Sequence, residues 1–203
     1  MPRSCFLTAI FTTLAAASIS AQTQKSEPRA IRLPDTLGAN FPVTDTLTGK
    51  SEPGDYDFLV GTWSFTFQSR NRDGAFTAPF TGHWVFTRKQ TDGQGVLLED
   101  HWRPDDPSST WEAGTWTYRA FNPTRKLWEM EGINTNNGAW QPGLMWSAGP
   151  DRLLTEWYGT MLVRFRYFAI EKDTFLWRAD ATFDRGKTWI RDYWTMEARR
   201  ISR

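Results

Sequence analysis

The sequence contains very little cysteine and histidine. Cys5 is the one cysteine, and His83 and His101 are the two histidines among 203 residues. One cysteine excludes a disulfide within the chain, so the framework that supports many small exported domains is absent. The two histidines do not have the spacing of a His-x-His or His-x-x-x-His metal site. The sequence therefore predicts neither a bound metal nor a cofactor.

An excess of charge of one sign is also missing. The 24 Lys and Arg residues against 23 Asp and Glu give a net charge of +1, which does not favour binding to nucleic acid or to an anionic membrane surface. The sequence has no Gly-x-Ser-x-Gly elbow and no phosphate-binding loop, so it does not indicate an α/β-hydrolase or a P-loop nucleotide-binding enzyme. No apolar run approaches the roughly 20 residues of a membrane-spanning helix.

The N-terminus has the pattern of a secretory signal peptide. Arg3 makes a short basic start, residues 5–17 are apolar and uncharged, and small residues follow. These are the three regions of such a peptide, and we expect cleavage after Ala21. Cuts after Ala17 or Ser20 fit nearly as well. The pattern predicts that residues 1–21 are removed and that the protein is periplasmic or extracellular.

The remaining chain divides into two parts of different composition. Residues 22–54 contain four prolines, several Ser and Thr residues and one aromatic residue, Phe41, without helical or strand periodicity. This composition is typical of an exposed flexible leader. Residues 55–203 hold all 12 tryptophans and suit one domain. They are long enough, and aromatic enough, to build a core without disulfides.

The pattern from residue 55 onward predicts an all-β domain. Trp63, Phe65 and Phe67 alternate with polar residues, and so does the run from Phe175 to Phe183. Period two places each set on one face of a strand. Gly, Pro, Asn and Asp punctuate such runs at short intervals, which favours an antiparallel meander of eight to ten strands closed into a barrel. A two-sheet sandwich or jelly roll is the alternative. One short helical turn is possible between Asp55 and Val60.

Gly61-Thr62-Trp63 opens the first predicted strand, inside the run Asp57-Phe-Leu-Val-Gly-Thr-Trp63. This resembles the Gly-x-Trp first strand of the lipocalin-like (calycin) superfamily, and especially uncharacterised bacterial secreted domains with that opening. The resemblance implies a barrel with a cavity, in which an Arg of the last strand stacks on Trp63. Arg191 and Arg199 are the candidates. Nitrobindins open similarly and hold haem through a late histidine, but no histidine follows His101 here.

A second motif lies near the C-terminus. Thr182-Phe-Asp-Arg-Gly-Lys-Thr-Trp189 has every defined residue of an Asp box, the hairpin that recurs in the blades of propellers such as sialidases. Asp184 should bond turn amides, Gly186 should take a positive φ, and Trp189 should pack beneath the turn. The motif occurs once, so it predicts a structural hairpin without glycosidase activity.

Ionisable residues inside the predicted strands give the one indication of a site. In the strand Val96–Arg103, the face of Val96, Leu98, Asp100 and Trp102 is the more apolar and should point inward. Asp100 would then be buried and need an arginine, for which Arg164, Arg166 and Arg178 are candidates. The predicted ligand-binding residues are Trp84, Asp100, Trp128, Trp157, Arg164, Arg166 and Arg178. The alternative is that these charges cover a solvated outer face.

We therefore expect an exported barrel that binds a small amphipathic or hydrophobic molecule, with neither nucleic acid nor membrane as partner. Two other functions stay open. One is an enzyme that uses Glu99, His101 or Glu156 as acid or base in the barrel interior. The other is a purely structural or partner-binding domain. The sequence gives no indication of the oligomeric state.

Overall fold

Ten antiparallel strands each pair with their neighbour along the chain, and the last strand pairs with the first, so the sheet closes into a barrel. This computed structural model describes residues 51–71, 73–91, 93, 95–106, 108 and 114–203. The all-β barrel predicted from the sequence is confirmed, with ten strands. The predictions for the signal peptide and for the leader up to residue 50 lie outside the described residues.

A 3-10 turn, η1 (Asp57–Leu59), precedes the barrel. The strands in chain order are β1 (Gly61–Ser69), β2 (Phe80–Gln90), β3 (Val96–Pro104), β4 (Thr115–Asn122), β5 (Leu127–Asn134), β6 (Trp140–Ala148), β7 (Asp151–Tyr158), β8 (Met161–Phe168), β9 (Thr174–Thr182) and β10 (Ile190–Ser202). Because each strand runs antiparallel to the one before it, the connections between consecutive strands lie alternately at the two ends of the barrel.

Aromatic side chains fill the interior through strict alternation. On β1, Trp63, Phe65 and Phe67 are buried, while the residues between them face outward. Phe65 stacks on Trp102 of β3, with ring centroids 3.9 Å apart. Gly82 of β2 makes room for this stack, since a Cβ there would lie 2.3 Å from the Phe65 ring. These rings supply the buried apolar area that the absent disulfides do not.

One end of the barrel is closed by η1 and by an arginine of the last strand. Trp63 is fully buried and its indole N–H donates to the Leu59 carbonyl at 2.7 Å. The guanidinium of Arg200 lies over the Trp63 ring at 4.0 Å and donates to the Val60 and Phe58 carbonyls at 2.5 and 2.7 Å. Arg200 therefore holds η1 against the end of the barrel. We call this the plugged end, and the opposite end the β7–β8 turn end.

The resemblance to calycins implied this stacking but named the wrong arginines. Arg199 faces outward opposite Ser64, and Arg191 is exposed and pairs with Asp180 at 2.6 Å. The regular β1–β10 ladder places Arg200 opposite Trp63 and Arg199 opposite Ser64, and its irregularity begins only beyond Trp63, at Thr62. Gly61 accommodates this approach: its φ is 124°, and a Cβ at this position would lie only 2.3 Å from the Ser202 carbonyl oxygen.

The Asp box forms the β9–β10 hairpin as its residues predict. Asp184 accepts the Thr188 backbone N–H at 2.9 Å and the Thr188 hydroxyl at 2.7 Å. Gly186 has a φ of 86° and donates its N–H to the Thr182 hydroxyl at 2.9 Å. The Trp189 ring packs under Gly186 and also under the Arg164 guanidinium, at 4.1 Å. The box is thus a structural turn on the barrel.

Residues 51–54, which the composition grouped with the leader, contact the barrel directly. Ser51 is fully buried, its N–H donates to the Lys126 carbonyl at 3.1 Å and its hydroxyl accepts the Ser147 N–H at 3.0 Å. The Glu52 carbonyl accepts the Trp128 indole N–H at 3.3 Å. These contacts add to the closure at the plugged end.

Candidate functional site

The barrel interior contains a small cavity lined by indole rings and by several polar side chains. Its volume is about 50 Å³. One water needs roughly 10–15 Å³ on this scale, so the cavity has room for several waters or for a group of a few heavy atoms. Its polar lining residues are Asp100, Thr115, Thr117, Arg119, Gln141 and Glu156. Its indoles come from Trp84, Trp102 and Trp177.

Asp100 of β3 supplies the first fixed charge. Its side chain is 3% exposed, as the parity of β3 predicts, and it lies between Phe86 of β2 and Thr117 of β4 in the sheet register. The Trp84 indole N–H donates to Asp100 Oδ1 at 2.5 Å. The other carboxylate oxygen contacts the guanidinium of Arg119. One oxygen thus accepts a hydrogen bond and the other belongs to an ion pair, and these contacts offset the burial of the carboxylate.

Arg119 of β4 is the partner of Asp100 and is 2% exposed. Its guanidinium also lies 5.3 Å from the Phe86 ring centroid, within cation–π range. Burial lowers the pKa of Arg119, while Tyr167 and Glu156 raise it. An arginine remains charged under such a shift, because its ordinary pKa is so high. The pair is thus a true ion pair inside the barrel.

Glu156 of β7 is a second carboxylate in the cavity wall and is 6% exposed. It is close enough to Arg119 and Tyr167 to affect the pKa of each. Its strand neighbour Tyr158 ends β7, so Glu156 lies toward the β7–β8 turn end of the barrel. Gln141, the second residue of β6, lines the cavity at this same end.

Two fully buried tyrosines lie in the interior, and one of them, Tyr167, lines the cavity. Burial raises the pKa of Tyr167, whose hydroxyl lies beside Arg119 and the Trp177 indole N–H. Burial also raises the pKa of Tyr56, whose hydroxyl is 2.9 Å from the Leu153 carbonyl. Both phenols are therefore neutral at physiological pH. They act as hydrogen-bonding groups and add no charge to the interior.

The structure brings only some of the predicted ligand-binding residues together. Trp84 and Asp100 line the cavity. Trp128 is buried at the plugged end, with its ring edge on Tyr56 at 5.5 Å. Trp157 alternates with the inward Glu156 and Tyr158 and faces outward. Whether any of these residues binds a ligand stays a prediction.

The three predicted arginines lie on the outer surface, so the expected partner of Asp100 was wrong. The side chains of β8 alternate, and its inward positions are occupied by Val163, Phe165 and Tyr167. The two β8 arginines, Arg164 and Arg166, therefore face outward, and so does Arg178 of β9. All three line an outer groove of about 600 Å³ with Trp146, Phe168 and Asp180. Arg166 pairs with Asp151 at 2.6 Å, and Arg164 with Asp180 at 3.3 Å.

The inward position of Arg119 was not predicted from the sequence, for a physical reason. On β4, Trp116 and Tyr118 face outward while Thr115, Thr117 and Arg119 face inward, so the more apolar face is the outer one. Trp116 is covered there by His101, whose ring stacks on it at 4.4 Å and 2°. A strand whose polar face points into the barrel indicates an interior site. Which face points inward becomes clear only when the pairing with the neighbouring strands is known.

Of the three residues proposed for interior acid–base chemistry, Glu156 lines the cavity, whereas Glu99 and His101 lie outside the barrel. Glu99 pairs with Lys89 at 2.8 Å, and His101 accepts from Arg103 Nε at 2.7 Å. Burial, followed by the charge of Arg103, lowers the pKa of His101. His83 contacts Asp105 at 2.9 Å, also on the outer face. Among the residues that the structure describes, no three His, Cys, Asp or Glu side chains gather as metal ligands do.

The closed barrel of ten antiparallel strands has a lipocalin-like fold. It is similar to the S-type phycobiliprotein lyase CPES from Guillardia theta, with a TM-score of 0.52 and 11% identity over 76% of this chain and 94% of that one. It is also similar to Rv2717c from M. tuberculosis, with a TM-score of 0.44 and 11% identity over 72% and 96% of the two chains. At such identity the likeness to the lyase shows the fold alone.

No protein-family model matches the chain, and the search of curated proteins found no match. Within the described part of the chain, no helix has the length and apolarity needed to cross a membrane.

Proposed function

We propose that this protein is an exported barrel that binds a small amphipathic molecule in its interior. The observation that carries the proposal is the set of buried charges around the cavity: Asp100, Arg119 and Glu156, each at most 6% exposed. Small-molecule sites are built in this way, as apolar cavities with a few fixed polar groups. The export part rests on the signal-peptide pattern of the first 21 residues.

A purely structural interior would not need these groups. Replacing a buried ion pair by well-packed apolar side chains is often neutral or stabilising. The interior here instead combines the Asp100–Arg119 pair with a further carboxylate and an unfilled space. Charges placed beside such a space are suited to hold the polar group of a ligand, at a cost in stability that binding offsets.

The cavity volume limits what the ligand places there. About 50 Å³ accepts a polar group of a few heavy atoms, well below the roughly 300–1,000 Å³ of sites for drug-sized molecules. The apolar body of an amphipathic ligand then extends toward the β7–β8 turn end, since η1 and Arg200 close the other end. Tyr158, at the end of β7, lines the cavity on that side.

The test is a titration of the purified protein followed by intrinsic tryptophan fluorescence, because three indoles line the cavity. The panel contains alkyl amines, fatty alcohols, fatty acids, isoprenoids and aromatic acids. Thr117→Leu fills the cavity from β4 and should weaken binding at least about tenfold, whereas Tyr118→Leu, on the outer face of the same strand, should not. No saturable signal from the whole panel, or equal binding by both variants, would contradict a site in the interior.

A further inference from the structure

Four neighbouring strands present one row of side chains to the outer groove, and the row is apolar at one end and cationic at the other. In the sheet register, Trp146 of β6 lies opposite Leu153 of β7. Leu153 lies opposite Arg166 of β8, which lies opposite Arg178 of β9. All four side chains line the groove. We infer that this groove is a second binding site, which takes an anionic molecule with a flat apolar body.

The cationic half of the row consists of two arginines that face each other directly. Their guanidinium carbons lie 4.8 Å (Arg166) and 5.8 Å (Arg178) from the centroid of the same ring, that of Phe168. Arginine keeps its positive charge throughout the physiological pH range. Like charges directly opposite each other destabilise a pair of strands. An anion that contacts both guanidiniums would therefore remove a repulsion that the barrel alone contains.

Arg178 has no acidic partner among the residues that the structure describes. Its guanidinium donates to the backbone carbonyls of Trp177 and Met196, at 3.1 and 3.4 Å. These two contacts orient the half-buried side chain but supply no negative charge. Its charge is therefore uncompensated within the described barrel.

The aspartates around the groove do not balance its arginines. Asp180 is shared by Arg164, at 3.3 Å, and Arg191, at 2.6 Å. Asp151 contacts Arg166 through Nε. The net charge is +1, since −3 from Asp151, Asp180 and Asp192 meets +4 from Arg164, Arg166, Arg178 and Arg191. Protonation of any of these aspartates would only increase the positive charge.

The apolar half of the row supplies what an exposed charge pair lacks. Ion pairs at a protein surface contribute little by themselves. Trp146 and Leu153 are half-buried, and a flat apolar body packed against them would add hydrophobic stabilisation. Neighbouring strands lie about 4.8 Å apart, so the row across four strands is roughly 14 Å long. The groove volume of about 600 Å³ lies within the range of roughly 300–1,000 Å³ for small-molecule sites.

Isothermal titration calorimetry with three probes that share one ring system tests the inference. Naphthoate, naphthamide and protonated naphthylmethylamine, substituted at the same ring position, differ mainly in the charge of the polar group. In about 0.15 M salt, which screens long-range attraction, we expect naphthoate to bind at least about tenfold more tightly than naphthamide, and the amine to bind most weakly. This comparison within the unmodified protein does not depend on any variant. Equal or tighter binding of naphthamide would overturn the inference.

Arg178→Gln should abolish the preference for naphthoate over naphthamide, and Arg166→Gln should do the same independently. Arg199→Gln is the matched control, since Arg199 is an exposed arginine of β10 outside this groove and its replacement removes the same charge. A thermal melt of each variant verifies its fold. A preference that persists in the Arg166 and Arg178 variants, or that is lost equally in Arg199→Gln, would overturn the inference.

Thr117→Leu separates the groove from the interior cavity. Tyr167, the residue after Arg166 on β8, points inward and lines the cavity, so the cationic half of the row faces away from it. Naphthoate should therefore bind unchanged to Thr117→Leu. Its loss there would place the probe in the cavity, which would overturn the groove site and support interior binding. Absence of naphthoate binding to the unmodified protein would overturn the groove site as well, while the wider fluorescence panel decides separately on the cavity.

Discussion

The Arg119 guanidinium contacts the Asp100 carboxylate inside the barrel, across two adjacent strands, with both side chains at most 3% exposed. The two residues are not direct register partners, since Asp100 faces Thr117 and Arg119 faces Leu98. The contact is diagonal and inward, so each side chain reaches along the barrel axis to meet the other. This relationship determines what substitutions at the two positions should do.

Asp100→Asn should destabilise the protein by about 3–5 kcal/mol, because it removes the carboxylate that contacts the buried Arg119 guanidinium. The double substitution Asp100→Leu, Arg119→Met should recover most of the loss, since both charges are then absent. Urea denaturation measures the free energy of unfolding of each variant. Asp151→Asn is the control, because its partner Arg166 is solvent-exposed and such pairs contribute roughly 0–1 kcal/mol. A double variant as unstable as the single one would argue against this account.

Closure of the plugged end gives a second prediction. Trp63→Ala should cost about 3–5 kcal/mol, because a large, fully buried ring is lost. Arg200→Ala should cost clearly more than Arg199→Ala, since Arg200 covers Trp63 and holds two carbonyls of the η1 region, while Arg199 faces solvent. Guanidinium denaturation curves provide the comparison. Equal effects at positions 199 and 200 would contradict the assigned register.

The sequence predicts the fold well because the barrel is built from aromatic alternation. On β1, the alternation of aromatic and polar residues is enough to predict that Trp63, Phe65 and Phe67 point inward, without any information from other strands. The same local rule fails on β4, where Trp116 packs outside against His101 and Arg119 points inward. Only the register with β3 and β5 fixes that parity, and register is a property of strands that are distant in the sequence.

The arginine that stacks on Trp63 could not be identified from local sequence either. Arg199 and Arg200 are adjacent and chemically identical, and the β1–β10 register, which places Arg200 opposite Trp63 and Arg199 opposite Ser64, decides which of them covers Trp63. The Asp box, by contrast, is entirely local between Thr182 and Trp189, and its predicted contacts are present in the structure. Local motifs are thus readable from sequence, whereas pairs that depend on strand register are not.

The export prediction concerns the first 21 residues. Arg3, followed by the uncharged run to Ala17, predicts that residues 1–21 are absent from the protein after export. Intact mass and N-terminal sequencing of material secreted by the natural host determine the first residue. A chain that begins at Gln22 is expected, and exported protein that retains Met1 would show the prediction to be wrong.

The hairpin of the Asp box predicts a backbone effect at Gly186. Its φ of 86° lies in the left-handed region, and a Cβ there would meet only the Trp189 ring, at 3.9 Å. The penalty for Gly186→Val is therefore conformational, about 1–3 kcal/mol, and does not come from a clash. Arg185→Ala should change stability by less than about 0.5 kcal/mol, because it alters only an exposed side chain. Comparable losses in the two variants would argue against the turn geometry.

Asp184 gives this hairpin a dependence on pH. The backbone N–H and hydroxyl of Thr188 lower the pKa of Asp184 from 3.8 to about 2. Because the folded pKa is below the unfolded one, Asp184 contributes stability that is fully present above about pH 4 and is lost as the pH falls toward 2. Other carboxylates titrate in the same range, so the useful quantity is the difference in unfolding free energy between the unmodified protein and Asp184→Asn. This difference should be constant from neutral pH to about pH 4 and then shrink toward pH 2. Urea titrations at a series of pH values measure it, and a difference that stays constant throughout would show that Asp184 is not tied to the turn.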